Sequence, residues 1–321
     1  MHSSLRTRRQ WFPDSVSFAA FLLVGTVPLA PAAEFDIRET AEFKTIVPSN
    51  AKLQKLATGM QFCEGPVWVP RDGGYLVFSD IPADEIKKWT AKEGLTTFRK
   101  SSHNANGNTL DRQGRLITCE HSGRRVCRLE ADGTLQTLVD HYDGKKFNSP
   151  NDVVVKSDGT IWFTDPPYGL PKGERKELDG NYVFRFDPST KTTMIVSKDF
   201  DMPNGLCFSP NEKKLYIADS SERRHIRVFE VQRDDTLTGG AVFCVIDKGV
   251  PDGIRCDATG RVFSSAADGV QIFAPDGKLI GKILVPETPA NLCFGGRNGK
   301  TLFIAARTSL YSIPLLVEGA R

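Results

Sequence analysis

The feature that most constrains the fold of this chain is an internal repeat. One unit, consisting of a polar residue, a short apolar strand, a turn and a second apolar strand, recurs six times along the sequence. The copies begin at Glu64, Asn106, Asn151, Asn204, Asp252 and near Ala290. Successive starts lie 42, 45, 53, 48 and about 38 residues apart. This spacing is typical of the four-stranded blades of a β-propeller.

Each unit also carries the signals of an antiparallel hairpin. Asp-Gly or Asn-Gly pairs separate the two strands at Asp72, Asp158 and Asn298, and these pairs favour tight turns because glycine adopts positive φ without steric cost. Third strands follow, for example over residues 182–186, and no stretch of twelve residues has the pattern of an amphipathic helix. We therefore predict an all-β, six-bladed β-propeller. An open β-sandwich, the alternative, would not repeat one strand–turn–strand unit so often.

The first 32 residues have the pattern of a signal peptide. Arg6, Arg8 and Arg9 precede an apolar run over residues 18–27, and small residues follow at 30–33. The adjacent Arg8 and Arg9 also resemble a twin-arginine export signal. We expect cleavage after residue 32 and a periplasmic or secreted protein in which 33–321 is a single propeller domain. An uncleaved membrane anchor is the alternative.

Composition narrows the possible partners. The chain has 42 Lys and Arg against 39 Asp and Glu, a net charge of +3, so no strongly basic surface indicates nucleic-acid binding. No later apolar segment is long enough to span a bilayer, and a monomer is expected because no hydrophobic stripe lies outside the blades. The seven cysteines form no CxxC motif and are predicted to be small buried hydrophobic residues.

The opening residue of each repeat is the main candidate for chemistry. The first strand of each blade lines the central axis of a propeller, so the opening residues, here called the axial position, converge on that axis. Five of the six are oxygen-bearing: Glu64, Asn106, Asn151, Asn204 and Asp252. The sixth is either Ala290 or Asn291. Buried carboxylates and amides need partners, and such an oxygen set suits a hard cation such as Ca²⁺. Alternatively, these residues only cap strand ends.

A second set of acidic residues ends the second strand in four of the blades. These residues are Asp80, Glu120, Asp165 and Asp219. Because the second strand runs antiparallel to the first, they lie at the same end of the propeller as the axial position. Either Glu120, Asp165 and Asp219 shape the rim of a pocket or support the residues that line it, or each carboxylate accepts backbone N–H groups in its own turn. Asp165 is favoured for the pocket because it leads into the loop 165–169.

Several of these segments resemble one known family. Residues 64–68, 149–153, 162–169, 203–206, 251–254 and 293–296 read EGPVW, SPNDV, WFTDPPYG, PNGL, PDGI and CFGG. This set is similar to the gluconolactonase, senescence-marker-protein-30 and luciferin-regenerating-enzyme family of six-bladed propellers. The likeness runs in order through residues 55–315. It is nearest to the bacterial gluconolactonase-like branch, because Ser149 stands where mammalian members carry arginine.

The resemblance implies a metal-dependent lactonase that opens a sugar lactone. The family's divalent-cation ligands map onto Glu64, Asn151, Asn204 and Asp252. Asp252 also matches the family's proposed general base or nucleophile. The expected cation is Ca²⁺, with Mg²⁺, Mn²⁺ or Zn²⁺ as alternatives. We expect the substrate contacts to come from the pocket rim: Asn106, His121, Asp165 and Tyr168.

Two other functions fit the same residues. One is phosphotriester or aryl-ester hydrolysis, because the axial set also resembles that of diisopropylfluorophosphatase and paraoxonase. The other is a non-catalytic propeller that binds a ligand or protein and uses Ca²⁺ only to hold its axis together. No Gly-x-Ser-x-Gly motif is present, which disfavours serine-hydrolase chemistry.

Overall fold

The computed structural model describes residues 34–320, and the predicted signal peptide over residues 1–32 therefore lies outside the described residues. The predicted six-bladed β-propeller is confirmed, because six antiparallel sheets follow one another along the chain. Among residues 34–320, no helix has both the length and the apolar character needed to cross a membrane.

The blades are numbered in the order in which their first strands occur. Blade 1 contains Cys63–Val69, Tyr75–Asp80, Glu85–Thr90 and Gly94–Lys100. Blade 2 contains Ala105–Leu110, Leu116–Glu120, Arg125–Leu129 and Leu135–Val139. Blade 3 contains Val153–Val155, Ile161–Asp165, Tyr182–Asp187 and Thr192–Ser197. A short hairpin, His141–Tyr142 with Lys145–Lys146, lies between blades 2 and 3.

The remaining blades follow the same plan. Blade 4 contains Pro203–Phe208, Lys214–Asp219, His225–Val231 and Leu237–Val245. Blade 5 contains Ile254–Cys256, Val262–Ala266, Gly269–Phe273 and Leu279–Leu284. Blade 6 contains Asn291–Gly295, Thr301–Ala306 and Ser309–Pro314, and its outer strand comes from elsewhere in the chain.

Residues from the start of the described chain close the ring. The strand Gln54–Thr58 pairs antiparallel with Ser309–Pro314 and so becomes the outer strand of blade 6. The strand Phe35–Ile37 pairs with Leu279–Leu284 at the outer edge of blade 5. Blade 6 is therefore built from two distant parts of the sequence, which ties the ends of the propeller together and leaves no open junction between the last blade and the first.

The hydrophobic core consists of layers between neighbouring blades. Phe78 of blade 1 packs in one cluster with Phe303 of blade 6, and Trp162 of blade 3 packs with Leu215 of blade 4. The helix Thr40–Ile46 adds its buried face to the layer between blades 5 and 6. The apolar side chains of this core pack between the blades. The innermost strands therefore meet around the axis through backbone and polar groups.

Candidate active site

The first strand of each blade is its innermost strand, and consecutive inner strands contact one another around the axis. The axial positions of blades 1 to 5 therefore come together as predicted. Glu64, Asn106, Asn151 and Asn204 are buried, with 3%, 4%, 3% and 6% of their surface exposed, while Asp252 is partly exposed. These five residues are called the axial layer below.

An unbroken chain of amide hydrogen bonds links three residues of the axial layer. Nδ2 of Asn106 donates to Oδ1 of Asn151 at 2.6 Å, and Nδ2 of Asn151 donates to Oδ1 of Asn204 at 2.7 Å. Nδ2 of Asn204 then donates to Oγ of Ser220 at 3.0 Å. Asn106 and Asn151 are thus each bonded to the amide of the next blade, and Asn204 is bonded to Ser220 of its own blade.

His121, a predicted substrate contact, joins this layer from the end of blade 2. Its Nε2 lies 3.1 Å from Oδ1 of Asn151 and 3.0 Å from Nδ2 of Asn106. Burial lowers the pKa of His121 to about 4, because a charged imidazolium would lose its hydration without gaining an acidic partner. The imidazole is therefore neutral at neutral pH.

The two carboxylates of the axial layer, the buried Glu64 and the partly exposed Asp252, have no cationic side chain in salt-bridge contact. Neither Glu64 nor Asp252 forms a salt bridge with any Lys, Arg or His in the part of the chain that the structure describes. Burial, followed by the charge of Asp152, raises the pKa of Glu64 to about 7. Burial, followed by the charge of Glu64, also raises the pKa of Asp252 well above its usual value. Such a pair is stabilised by a positive charge placed between them.

Glycines allow the inner strands to approach closely enough to form the axial layer. The backbone N–H of Gly107 donates to the carbonyl oxygen of Asn151 at 2.8 Å, and that of Gly205 donates to the carbonyl oxygen of Asp252 at 3.1 Å. A Cβ atom on Gly205 would lie 2.3 Å from this same oxygen. Any side chain at these positions would therefore push neighbouring blades apart.

We expect Gly205→Ala to destabilise the protein by about 1–3 kcal/mol or more, because the added methyl group meets the backbone of the neighbouring strand rather than a movable side chain. Activity should fall with stability, since the carbonyl group that the methyl group meets is that of Asp252 itself. Gly133→Ala is the control. Its φ of +85° is unfavourable for alanine, but nothing lies within 4 Å of the new Cβ. Chemical denaturation measures both, and equal losses in the two variants would contradict the packing argument.

The structure settles which residue occupies the axial position of blade 6. Gly253 donates its N–H to the carbonyl oxygen of Ala290 at 2.8 Å, as Gly205 does to Asp252, so Ala290 is the axial residue. Asn291 comes directly after it and is nevertheless buried in the tunnel. Its Nδ2 donates to Oε2 of Glu64 at 3.0 Å, which orients that carboxylate.

The acidic residues that end the second strands mostly support loops. Asp80 accepts the backbone N–H groups of Gln61 and Phe62, and Asp219 accepts those of Met202 and Ser221. Only Asp219 accepts an N–H group of its own turn, from Ser221; Asp80 instead supports the segment before the first strand of its blade. Glu120 instead forms salt bridges with Arg99 and Arg125.

Asp165 supports a loop in the same way. It is fully buried, and its Oδ2 accepts the backbone N–H of Asn148 at 2.8 Å. Burial raises the pKa of Asp165 to about 7 despite this hydrogen bond. Its contacts are with the loop that leads into blade 3 and not with the axial layer, so its predicted contact with substrate stays a prediction.

Ser149 fastens the loop that follows Asp165. Its Oγ donates to the carbonyl oxygen of Pro166 at 2.6 Å and accepts the N–H of Gly169 at 2.9 Å. Gly169 lies against the ring of His121, where a Cβ atom would be only 2.1 Å from Cγ. Ser149 thus fixes the loop, and the lack of a side chain at Gly169 allows the loop to lie against His121, close to the axial layer.

This loop carries Tyr168, another predicted substrate contact. The side chain is 46% exposed, and its hydroxyl interacts with Ser220, Asn204 and the charge of Asp252. Burial of the hydroxyl raises the pKa of Tyr168 to about 12, so the phenol stays protonated at neutral pH. Tyr168 therefore joins the axial layer to solvent and can donate a hydrogen bond to a bound molecule.

The buried Asp152 and the partly exposed Arg255 are two charged residues that the sequence patterns did not single out. Oδ2 of Asp152 accepts Nη1 of Arg255 at 3.2 Å. Arg255 also lines a cavity of about 800 Å³ at the other end of the tunnel, where the inner strands end. Comparison of the residues that follow the axial position would have found Asp152, because the equivalent residue is glycine in four blades.

The chemistry of the axial layer fits a divalent cation. Among residues 34–320, no group of three or more His, Cys, Asp or Glu side chains is placed to hold a metal ion. The axial layer supplies two carboxylates and amide groups from neighbouring blades, which are hard oxygen donors of the kind that Ca²⁺ and Mg²⁺ prefer. Glu64, Asn151, Asn204 and Asp252 are the residues that would hold such an ion.

Comparison with known proteins agrees with this picture. The model of one protein family, described as the SMP-30/Gluconolactonase/LRE-like region, matches residues 62–308. A gluconolactonase from Zymomonas mobilis is 34% identical over 288 residues, which cover 81% of this chain and 80% of that protein.

Two further matches have similar coverage. A pentonolactonase from Haloferax volcanii is 25% identical, over 77% of this chain and 82% of its own. The solved structure of a gluconolactonase from Xanthomonas campestris superposes with a TM-score of 0.83 at 35% identity, covering 89% of this chain and 96% of that one. Residues 62–308, which the family model matches, include every residue of the axial layer.

Proposed function

The chain belongs to the SMP-30/gluconolactonase/LRE-like family, and on that premise we propose that it opens sugar lactones with a divalent cation held in the axial layer. Lactone hydrolysis is supported by the identity to gluconolactonases over most of the chain. The observation that carries the proposed site is that five blades place oxygen-bearing side chains at one end of the tunnel, two of them carboxylates without a salt-bridge partner.

The cation proposed for this site is Ca²⁺, held by Glu64, Asn151, Asn204 and Asp252, because all four supply hard oxygen donors. When bound, such an ion polarises a lactone carbonyl and stabilises the negative charge that develops on its oxygen. The hydrogen bonds between the amides and from Asn291 to Glu64 hold these oxygen ligands in place. Little of the free energy of binding is therefore needed to order these side chains.

Asp252 is the residue proposed to drive the attack. As a carboxylate it either accepts a proton from the attacking water or attacks the carbonyl carbon itself, and both routes end in the ring-opened hydroxy acid. Its partial exposure sets it apart from Glu64, which is almost fully buried. Asp252 is thus the carboxylate of the axial layer that a substrate can reach.

Asn106, His121 and Tyr168 are proposed to orient the lactone. His121 is neutral and Tyr168 is protonated at neutral pH, so both can form hydrogen bonds with the hydroxyl groups of a sugar without adding charge. A small polar substrate suits this part of the site, because its side chains are amides, a hydroxyl and an imidazole.

The first test compares the hydrolysis rates of five compounds, each measured as acid release at constant pH. The compounds are gluconolactone, a pentonolactone, an unsubstituted lactone, an aryl ester and a phosphotriester. We expect the sugar lactones to be the best substrates. Preference for the aryl ester or the phosphotriester would move the proposal to the second type of hydrolase. Metal binding without turnover of any of these compounds would indicate a non-catalytic propeller.

We expect Tyr168→Phe to raise KM for the sugar lactone and to lower kcat/KM about tenfold, because the loss of one hydrogen bond to a bound polar group costs about 1–1.5 kcal/mol. Tyr216→Phe is the matched control, since it removes a phenol hydroxyl from a buried position in blade 4. Steady-state kinetics compare the two. Unchanged KM in Tyr168→Phe would remove this residue from the substrate contacts.

Export to the periplasm or the medium is a separate proposal, supported by the basic, apolar and small-residue order of residues 1–32. The proposed mature protein is a monomer of residues 33–321 that acts on a free small molecule. Amino-terminal sequencing of protein recovered from the expressing cell tests this. A chain that retains residues 1–32 and sediments with membranes would favour the anchor instead.

A further inference from the structure

The position directly after the axial residue is unusual in two blades. It is glycine in the other four, as Gly65, Gly107, Gly205 and Gly253. Blade 3 carries Asp152 there and blade 6 carries Asn291, and each is only 1% exposed. Both side chains are held in the same way, because Oδ1 accepts the N–H of the next residue at 2.9 Å in Asp152 and 2.8 Å in Asn291. Blades 3 and 6 thus put a polar side chain into the tunnel where the others leave room.

The second polar atom of each side chain turns to a different partner. Asn291 donates to Glu64 of the axial layer at 3.0 Å. Asp152 accepts Nη1 of Arg255 at 3.2 Å, and this same Nη1 donates to the carbonyl oxygen of Ile254 at 2.7 Å. Arg255 belongs to blade 5 and Asp152 precedes the first strand of blade 3, so the ion pair joins two blades that are not neighbours and crosses the tunnel beside the axial layer.

The charges in this part of the tunnel act on one another. The charge of Asp152 raises the pKa of both Glu64 and Asp252, and the charge of Arg255 lowers the pKa of Glu64. With all groups ionised, Glu64, Asp252 and Asp152 contribute three negative charges and Arg255 one positive charge, which leaves a net charge of −2. Without Arg255 the net charge of the remaining three groups would be −3.

We propose that Arg255, held by Asp152, is an internal counter-ion that sets the charge around the axial layer to that of a site for a divalent cation. Arg255 is a positioning residue and does not touch the substrate. Through Asp152 it also fixes the backbone that follows Asn151, the ligand supplied by blade 3. This inference rests on the proposed function in one respect, namely that the axial layer binds a metal ion.

The proposal predicts opposite effects for the two partners of the ion pair. Asp152→Asn keeps the shape of the side chain but removes one negative charge, so Ca²⁺ should bind about tenfold more weakly, as is usual when a residue that supports a metal ligand is lost. Arg255→Met removes the positive charge, so the folded protein should bind Ca²⁺ more tightly than wild type. The double variant restores −2 and should return toward the wild-type affinity.

Isothermal titration calorimetry of the full mature chain with Ca²⁺ alone, and with La³⁺ alone, measures these effects without any substrate. Arg255→Met should shift the ratio of the two affinities toward the trivalent ion, and Asp152→Asn should shift it the other way. Arg255→Lys keeps the charge and should lie closer to wild type than Arg255→Met does. A purely structural ion pair would weaken binding in both single variants and leave the ion preference unchanged, which would overturn the proposal.

Arg255→Met leaves Asp152 buried without its partner and risks failing to fold. In that case the double variant is compared with Asp152→Asn alone. Tighter Ca²⁺ binding by the double variant supports the counter-ion role, and equal or weaker binding overturns it. If wild type itself binds no Ca²⁺, the proposed metal site fails, whereas normal wild-type binding with variants that move in the same direction defeats only the role of Arg255.

Discussion

Treatment of the purified protein with a chelator is expected to abolish lactone hydrolysis and to lower its thermal stability. Removal of a bound ion leaves the carboxylates of Glu64 and Asp252 to repel each other, with no salt bridge to either within residues 34–320, so the folded state loses the energy that binding had supplied. An ion present at 100 times its dissociation constant stabilises the native state by about 2.7 kcal/mol. For a chain of this size that corresponds to a fall in Tm of about 5 °C or more.

The measurement is turnover of gluconolactone and a thermal melt, before and after chelation, with the metal content determined by atomic emission. Addition of Ca²⁺ should restore both activity and Tm, and Mg²⁺, Mn²⁺ and Zn²⁺ are compared in the same experiment. A Glu64→Gln variant should show little further loss of Tm on chelation, since its ion is already weakly held. Full activity in verified metal-free protein would refute the metal-dependent mechanism.

Asp252→Asn is expected to lower kcat/KM by about 10³-fold, because an amide can neither accept the proton of the attacking water nor attack the carbonyl carbon. The change keeps the shape of the side chain, so the amide chain from Asn106 to Ser220 should survive. Stability should not fall and should rise in the metal-free protein, since one of two repelling buried carboxylates is removed.

The matched control is Asp234→Asn, the same substitution in an exposed turn of blade 4 where the carboxylate accepts hydrogen bonds from Thr236. It should leave kcat/KM unchanged. For Asp252→Asn we therefore expect two results together. Turnover is almost completely lost, and the folded variant without metal is at least as stable as wild type without metal. Retention of wild-type turnover would exclude Asp252 as the catalytic residue.

The two predictions separate the possible functions of the axial layer. An enzyme loses turnover in both experiments. A propeller in which the ion serves only to hold the axis together loses stability on chelation and has no turnover to lose. The substrate panel distinguishes the remaining case, because a phosphotriesterase with this site depends on the same ion and the same aspartate but prefers another bond.

The fold and the axial layer were accessible from the sequence because a propeller repeats one unit in a fixed order. Once the strand–turn–strand unit is recognised, residues as distant as Glu64 and Asp252 occupy equivalent places, and the symmetry of the ring brings them together. The repeat also placed the acidic residues Asp80, Asp165 and Asp219 at the correct end of the propeller. Their carboxylates accept backbone N–H groups as one of the two interpretations supposed, but from the segment before the first strand of each blade.

Features without a repeated pattern needed the tertiary structure. The outer strand of blade 6 comes from Gln54–Thr58, a segment with no counterpart in the other repeats. The axial residue of blade 6 was ambiguous between Ala290 and Asn291 until the hydrogen bond from Gly253 identified it. Neither result follows from local propensity, because both depend on which strands pair across the ring.

The sequence by itself determined the architecture, the family and the set of oxygen donors on the axis, since each is encoded by residues at regular spacing. Only the tertiary structure decided how charge is balanced around that set. The partner of Asp152 is Arg255, 103 positions away and in a blade that is not adjacent. A periodic pattern specifies which residues face the tunnel, whereas the pairing of two charges across it depends on the length and direction of individual side chains.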